Sequence, residues 1–331
     1  MTNKLGFYLH QAQNDHGLWD LFQRIKPPVI LIHLESKNDI LLTQMREWRS
    51  PDTFVVGRLG LSGEEQRAYL DAPDPVAAGE QLADRIFNQD RSFLLKRYPD
   101  EPSGRLLVDA WMSLNECVEG PAWEGLQEQS AAWRDENLAR HRRYDQFQVA
   151  FRRRLREYIP DVEAVGFNFG AGNFKTAQQY IDLYPQTLQE YTYLGFHEYG
   201  WPAMAGHLTD RPVKTDAGLF PTIMQGLQAR YGARHKAIIT EAGLARAHLH
   251  KNDPAGDVGW LAEVEPQRQE DYWTSLAWYN DLLTKHDTVL GACLYQVGWT
   301  HKWESFRLTG SDNGGNPIHI MDWVAERLTN S

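Results

Sequence analysis

Eight short runs of apolar, mostly β-branched or aromatic residues recur along the chain, at Leu5–His10, Val29–Leu34, Thr53–Leu59, Leu106–Trp111, Ala164–Asn168, Tyr193–His197, Lys236–Thr240 and Ala292–Val297. Several are apolar at nearly every position rather than at alternate ones, the pattern of strands buried on both faces. Between them, apolar residues return at three- and four-residue intervals. This predicts helices at Leu18–Ile25, Ile40–Trp48, Val76–Leu95, Trp123–Tyr158, Ala177–Tyr191, Gly218–Tyr231, Gln267–Lys285 and Ile318–Leu328. Strict alternation of strand and helix over eight units predicts a single (β/α)8 TIM barrel, an α/β fold of one domain spanning residues 1–331. No glycine-rich phosphate loop follows a strand, no solenoid repeat or low-complexity tract interrupts the order, and Asp71–Pro75 reads as a loop leading into its helix.

Polar residues gather at one end of these runs. In a parallel barrel the C-terminal strand ends build the active site, so their side chains are the candidates for chemistry. The third run ends near Arg58, the fourth at Asn115-Glu116 and the fifth at Asn168. The sixth ends at His197-Glu198-Tyr199 with Trp201 just beyond, the seventh at Glu241, and the eighth at Gln296 with Trp299 following. A carboxylate at the end of a buried strand is costly unless it is paired, hydrogen-bonded or functional. Two of them, Glu116 and Glu241, suggest an acid/base pair facing one pocket. His197 reads equally as a substrate contact or as a residue that orients its neighbours. Glu198 and Asn168 read either as lining the site or as making loop hydrogen bonds.

The pattern Asn115-Glu116, His197-x-Tyr199, Glu241 and Trp299 resembles that of the clan A, or 4/7, retaining glycoside hydrolases, and it runs in order through the whole barrel. The resemblance implies Glu116 as general acid and then base, Glu241 as nucleophile, Asn115 as donor to a sugar 2-hydroxyl and Trp299 as the floor of the subsite at the reacting sugar. It implies a carbohydrate substrate, a β-linked oligo- or polysaccharide, and no cofactor. Arg58 resembles the arginine that many members hold near the nucleophile. Asn168, His197, Tyr199, Trp201 and Gln296 join Arg58, Asn115 and Trp299 as candidate substrate-binding residues. The chain departs from the commonest pattern at Cys117, where a proline is usual. The chemistry asks for the same residue types: the leaving oxygen needs a proton and the anomeric carbon a nucleophile, with the carboxyls about 5–5.5 Å apart for retention and farther apart for inversion. Glu116 should then hold its proton, which burial near Trp111 or Trp201 favours, while Arg58 and Tyr199 keep Glu241 ionised. An inverting glycosidase, a silent carbohydrate-binding barrel and a metal-dependent hydrolase are the competing readings.

Composition adjusts this picture little. Twelve tryptophans and fourteen tyrosines supply flat faces that suit sugar rings as well as a core. A net charge of −10 argues against nucleic acid as a partner. The arginines at 140, 142, 143, 152, 153, 154 and 156 share a helix with many acidic residues and read as a solvated face. Cys117 and Cys293 make neither a disulfide framework nor a metal motif and are expected as free thiols. Leu244–Pro266 contains His248, His250, Asp253, Asp257, Glu263 and Glu265, but the spacing matches no zinc or calcium signature. No metal is expected, and the segment reads as a rim loop. No secretory leader or membrane-length apolar run is visible, so the sequence predicts a soluble chain without membrane partners, cytoplasmic or trimmed of a leader.

Overall fold

The computed structural model describes residues 3–10, 17–34, 49–88, 106–246, 258–263, 266–298 and 301–328. Their strands are β1 (Leu5–His10), β2 (Val29–Leu34), β3 (Phe54–Leu59), β4 (Ala110–Met112), β5 (Glu163–Phe167), β6 (Tyr193–Trp201), β7 (Lys214–Thr215), β8 (Lys236–Leu244) and β9 (Val289–Val297). The α-helices are α1 (Leu18–Ile25), α2 (Gly63–Leu70), α3 (Pro75–Asn88), α4 (Ala131–Tyr158), α5 (Ala177–Leu183), α6 (Pro185–Glu190), α7 (Phe220–Tyr231), α8 (Gln269–Thr284) and α9 (Ile320–Arg327). The strand order is β5-β4-β3-β2-β1-β9-β8-β6, and a further β5–β6 pairing closes it into a (β/α)8 barrel of eight parallel strands. The two-residue β7 pairs antiparallel with the end of β6 and stands outside that count.

Backbone contacts group the chain into two compact units. One comprises Met1–Phe54, Glu198–Leu219 and Ile239–Ser331; the other comprises Val55–His197 and Phe220–Ile238. In the first, β1 pairs in parallel with β2 and β9, with His10 opposite His33 and Leu5 opposite Ala292. Alternation along β1 sorts its side chains: Phe7 stacks on Phe22 of α1 at 5.5 Å, whereas Tyr8 meets Tyr295 of β9 at 4.9 Å. In the second unit, β3, β4 and β5 pair in sequence, and α4 lies against α3, α6 and β5. Phe167, Phe169, Phe174, Tyr180 and Tyr184 form an aromatic cluster there, with Phe169 and Phe174 stacked 4.4 Å apart. Several arginines of α4 are ion-paired: Arg140 with Asp71, Arg143 with Glu136, the buried Arg152 with Glu163, Arg153 with Glu190 and Arg154 with Asp84.

Several boundaries differ from the sequence expectation. The fourth strand starts at Ala110 rather than Leu106, because the Asp109 carboxylate takes the Val55 N–H at 2.7 Å in place of a backbone acceptor. The sixth and seventh barrel strands run on to Trp201 and Leu244, past the expected ends at His197 and Thr240. The expected helix Ala177–Tyr191 breaks at Tyr184, since Pro185 offers no N–H and disfavours helical geometry in the residue before it. The segment before Ser130 is a short 3-10 turn, Glu124–Glu128, and the Ser130 hydroxyl then caps α4. Helix α2 was not expected. It is too polar to show apolar periodicity, and its start is marked by the capping box of Ser62 and Glu65. The expected helix Ile40–Trp48 lies outside the described residues, as do Trp299 and most of the rim segment after Arg246. Both cysteines are free thiols. Among the described residues no helix is long and apolar enough to cross a membrane.

Candidate active site

In the unit containing β4, a strained turn presents Glu116. The buried Tyr144 hydroxyl bonds Ser113 Oγ at 3.1 Å and donates to the Leu114 and Phe167 carbonyls at 3.3 Å, tying together the segments that leave β4 and β5. The Asn115 N–H donates to Gln66 Oε1 at 2.6 Å. Glu116 then adopts a left-handed φ of 49°, and its N–H donates to the Asn168 carbonyl at 2.9 Å. Phe167 and Asn168 are left-handed too, with φ of 77° and 57°. Each such residue costs about 1–2 kcal/mol, and three at the facing ends of two strands mark a site where surrounding contacts enforce geometry. One of those contacts depends on Gly195 of β6: a Cβ there would lie 1.9 Å from Asn168 Oδ1. The Asn168 amide also donates back to the Val165 carbonyl at 3.1 Å, and the residue is wholly buried.

His197 of β6 completes this constellation. Its Nδ1 donates to Glu116 Oε1 at 2.7 Å, with the imidazole enclosed and the carboxyl side chain 45% exposed. Burial pushes the Glu116 carboxyl up, but the His197 hydrogen bond and charge, joined by the Arg58 charge, outweigh it and hold it below the ordinary carboxylate range. This corrects the expectation that burial keeps Glu116 protonated in the resting site. Arg58 on β3 is half-buried, and the Oδ1 of Asn115 has no hydrogen-bond partner among the described residues.

The other unit holds Glu241, on β8. It is 7% exposed, and Oε2 accepts a 3.1 Å hydrogen bond from the Tyr199 hydroxyl. Alternation along β6 explains which of its residues reach such positions. Phe196 packs on Tyr180 of α5 and Glu198 accepts from the Tyr279 hydroxyl of α8, so the even positions face helices. His197 and Tyr199 share the opposite face, about 6.5–7 Å apart along the strand. Glu198 is therefore a structural carboxylate, buried and held also by the Gly218 N–H at 3.0 Å. Trp201 and Gln296 are both wholly buried; the Gln296 side-chain amide donates to the Trp303 carbonyl at 3.0 Å, and the Gln296 backbone carbonyl accepts the Leu308 N–H at 3.0 Å.

Two residues that sequence reasoning passed over stand at comparable strand positions. His10 and His33 lie opposite each other at the ends of β1 and β2, their rings 4.4 Å apart above Tyr8 and nearly buried. The signal was a polar residue closing an apolar run, the same signal that singled out Glu241.

No protein-family model matches the chain, and no curated protein matches its sequence. Solved structures do. A β-glucuronidase from Bacteroides uniformis aligns with a TM-score of 0.55 at 13% identity, over 99% of this chain and 35% of that one. A glucosidase from Croceicoccus marinus aligns at 0.57 and 11% identity, over 99% of this chain and 68% of that one. A GH2 β-galacturonidase from Eisenbergiella tayi gives 0.54 and 14% identity, over 100% and 51%. The chain thus spans about a third of the length of the Bacteroides uniformis enzyme. At these identities the likeness is one of fold, and the structural neighbours that share this barrel are glycoside hydrolases.

Proposed function

We propose that the chain is a retaining glycoside hydrolase that cleaves β-linked oligo- or polysaccharides by double displacement. The observation that carries this reading is that one strand, β6, supplies a partner to each glutamate from the same face: His197 to Glu116 and Tyr199 to Glu241. The names of two fold neighbours, a β-glucuronidase and a β-galacturonidase, add support for a β-linked sugar as substrate.

In this mechanism a carboxylate oxygen of Glu241 attacks the anomeric carbon while Glu116 passes a proton to the departing glycosidic oxygen. The Tyr199 hydroxyl fixes the attacking carboxylate through its 3.1 Å hydrogen bond. Glu116 then takes a proton from water, which attacks the same carbon and releases Glu241. The 2.7 Å hydrogen bond to His197 holds the Glu116 carboxyl in place for this transfer. Asn115, with its unpartnered Oδ1, is the residue for the sugar 2-hydroxyl, and Arg58 supplies positive charge beside the acid/base. Asn168, Trp201 and Gln296 serve as framework that holds the strand ends.

The test is a screen of β-linked oligosaccharides and 4-nitrophenyl β-glycosides with wild type, Glu116→Gln and Glu241→Gln, followed by NMR of the first anomer released. Each variant should lose at least about a thousandfold in turnover while remaining folded, and the product should keep the β configuration. Near-wild-type activity in either variant, or an inverted product, overturns the assignment.

A further inference from the structure

The loop that carries Glu116 continues into a second carboxylate for which double displacement has no use. Glu119 is half-buried, and its Oε2 accepts a 3.3 Å hydrogen bond from Nδ2 of Asn173, on the loop that follows β5. Both loops are fixed from beneath. The Glu119 carbonyl accepts from Nδ2 of Asn137 at 2.7 Å and from Nε2 of His141 at 2.9 Å, two side chains of α4. The Asn173 carbonyl accepts the Ala122 N–H at 2.9 Å, and Asn173 itself is 7% exposed. Gly170 separates this pair from the acid/base. A Cβ on Gly170 would lie 3.3 Å from Asn173 Nδ2 and 3.5 Å from Glu116 Oε1. Gly170 thus packs within contact distance of both an amide donor and the acid/base oxygen, which sets the Glu119–Asn173 pair beside Glu116.

We propose that Glu119 and Asn173 form a subsite for the sugar on the leaving-group side of the scissile bond, Asn173 donating to its hydroxyls and Glu119 accepting from them. This rests on Glu116 being the acid/base, since the departing oxygen then sits against Glu116 and the Glu119–Asn173 pair lies on the other side of Gly170. A hydroxyl is the group that fits. It donates and accepts at once and so satisfies both an amide N–H and a carboxylate, where an aryl ring satisfies neither. Burial, reinforced by the Glu116 charge, pushes the Glu119 carboxyl up. The same loop goes on to Trp123, whose half-buried ring lies 5.8 Å from that of Trp133.

A mere strut between the two loops makes a different prediction from a sugar subsite. The test compares kcat/KM on two substrates that share a glycone, a β-linked disaccharide and the matching 4-nitrophenyl β-glycoside, for wild type, Glu119→Gln and Asn173→Ala. Glu119→Gln keeps the side-chain shape and guards against a folding defect, which unfolding midpoints check. Both variants should lose about 10- to 100-fold on the disaccharide and stay within about threefold of wild type on the aryl glycoside. Equal losses on the two substrates, or no loss on either, overturn the subsite and leave the glycosidase assignment standing. A wild type inert on the whole substrate panel instead overturns the glycosidase reading and the subsite with it.

Discussion

Nδ1 of His197 lies 2.7 Å from Oε1 of Glu116, although 81 residues separate the two along the chain. That hydrogen bond and the accompanying charge are the largest influences holding the Glu116 carboxyl down against its burial. His197→Gln should therefore raise the Glu116 pKa, because it removes the imidazole's charge while the penalty of burial stays. The basic limb of the kcat/KM profile, where the general acid loses its proton, would move to higher pH, and carboxyl chemical shifts followed by NMR would move with it. An unmoved titration would mean that His197 only orients the carboxyl.

Tyr199 and Glu241, the nucleophile of the proposed mechanism, make the corresponding bond. Tyr199→Phe removes one hydroxyl and keeps the ring, so the unfolding midpoint should stay close to that of wild type. Turnover should fall about 10- to 100-fold, the cost of losing one hydrogen bond to a charged group. Unchanged steady-state kinetics would show that the hydroxyl does not orient the nucleophile.

Glu198 stands between those two residues in sequence and does a different job. Its carboxylate is 2% exposed and accepts from the Tyr279 hydroxyl at 2.5 Å and the Gly218 N–H at 3.0 Å. Glu198→Ala leaves both donors buried without an acceptor and should cost about 2–5 kcal/mol in chemical denaturation. Activity per folded molecule should stay within about threefold of wild type at low temperature. A large loss of turnover without a loss of stability would return Glu198 to the active site.

His141 makes the fold acid-sensitive. Its Nδ1 accepts from the Tyr184 hydroxyl, its Nε2 donates to the Glu119 carbonyl, and burial pushes the imidazole down to about 4 from 6.5. The unfolded chain thus binds a proton that the folded one refuses between those values. Stability from this group is complete above pH 6.5 and is lost as the pH falls toward 4, by about 3 kcal/mol in all. His141→Asn should flatten the slope of stability against pH by about one proton in that window. An unchanged slope in denaturant titrations would refute the assignment.

The barrel was legible in the sequence because a strand buried on both faces must be apolar throughout, and eight such runs have few other ways to close. Glu116 and Glu241 were legible for a related reason, since a carboxylate at the end of an apolar run has to be compensated. Helix α2 was not, because its stability comes from its capping box and surface charges rather than from an apolar stripe. The beginning of β4 was also hidden, since the Asp109 side chain replaces a backbone acceptor that the apolar pattern had assumed.

The sequence alone therefore determined the order of strands and helices and the residue types available at the strand ends. Only the tertiary structure decided what those residues do, because their partners come from distant parts of the chain. His197, Glu198 and Tyr199 are consecutive polar or aromatic residues with equal claims on paper. The two-residue period of β6 sends His197 to Glu116 and Tyr199 to Glu241, and turns Glu198 away to Tyr279 of α8. The direction in which the Glu116 carboxyl shifts was decided in the same way. Burial alone would have raised its pKa, and a histidine and an arginine brought from other strands lowered it.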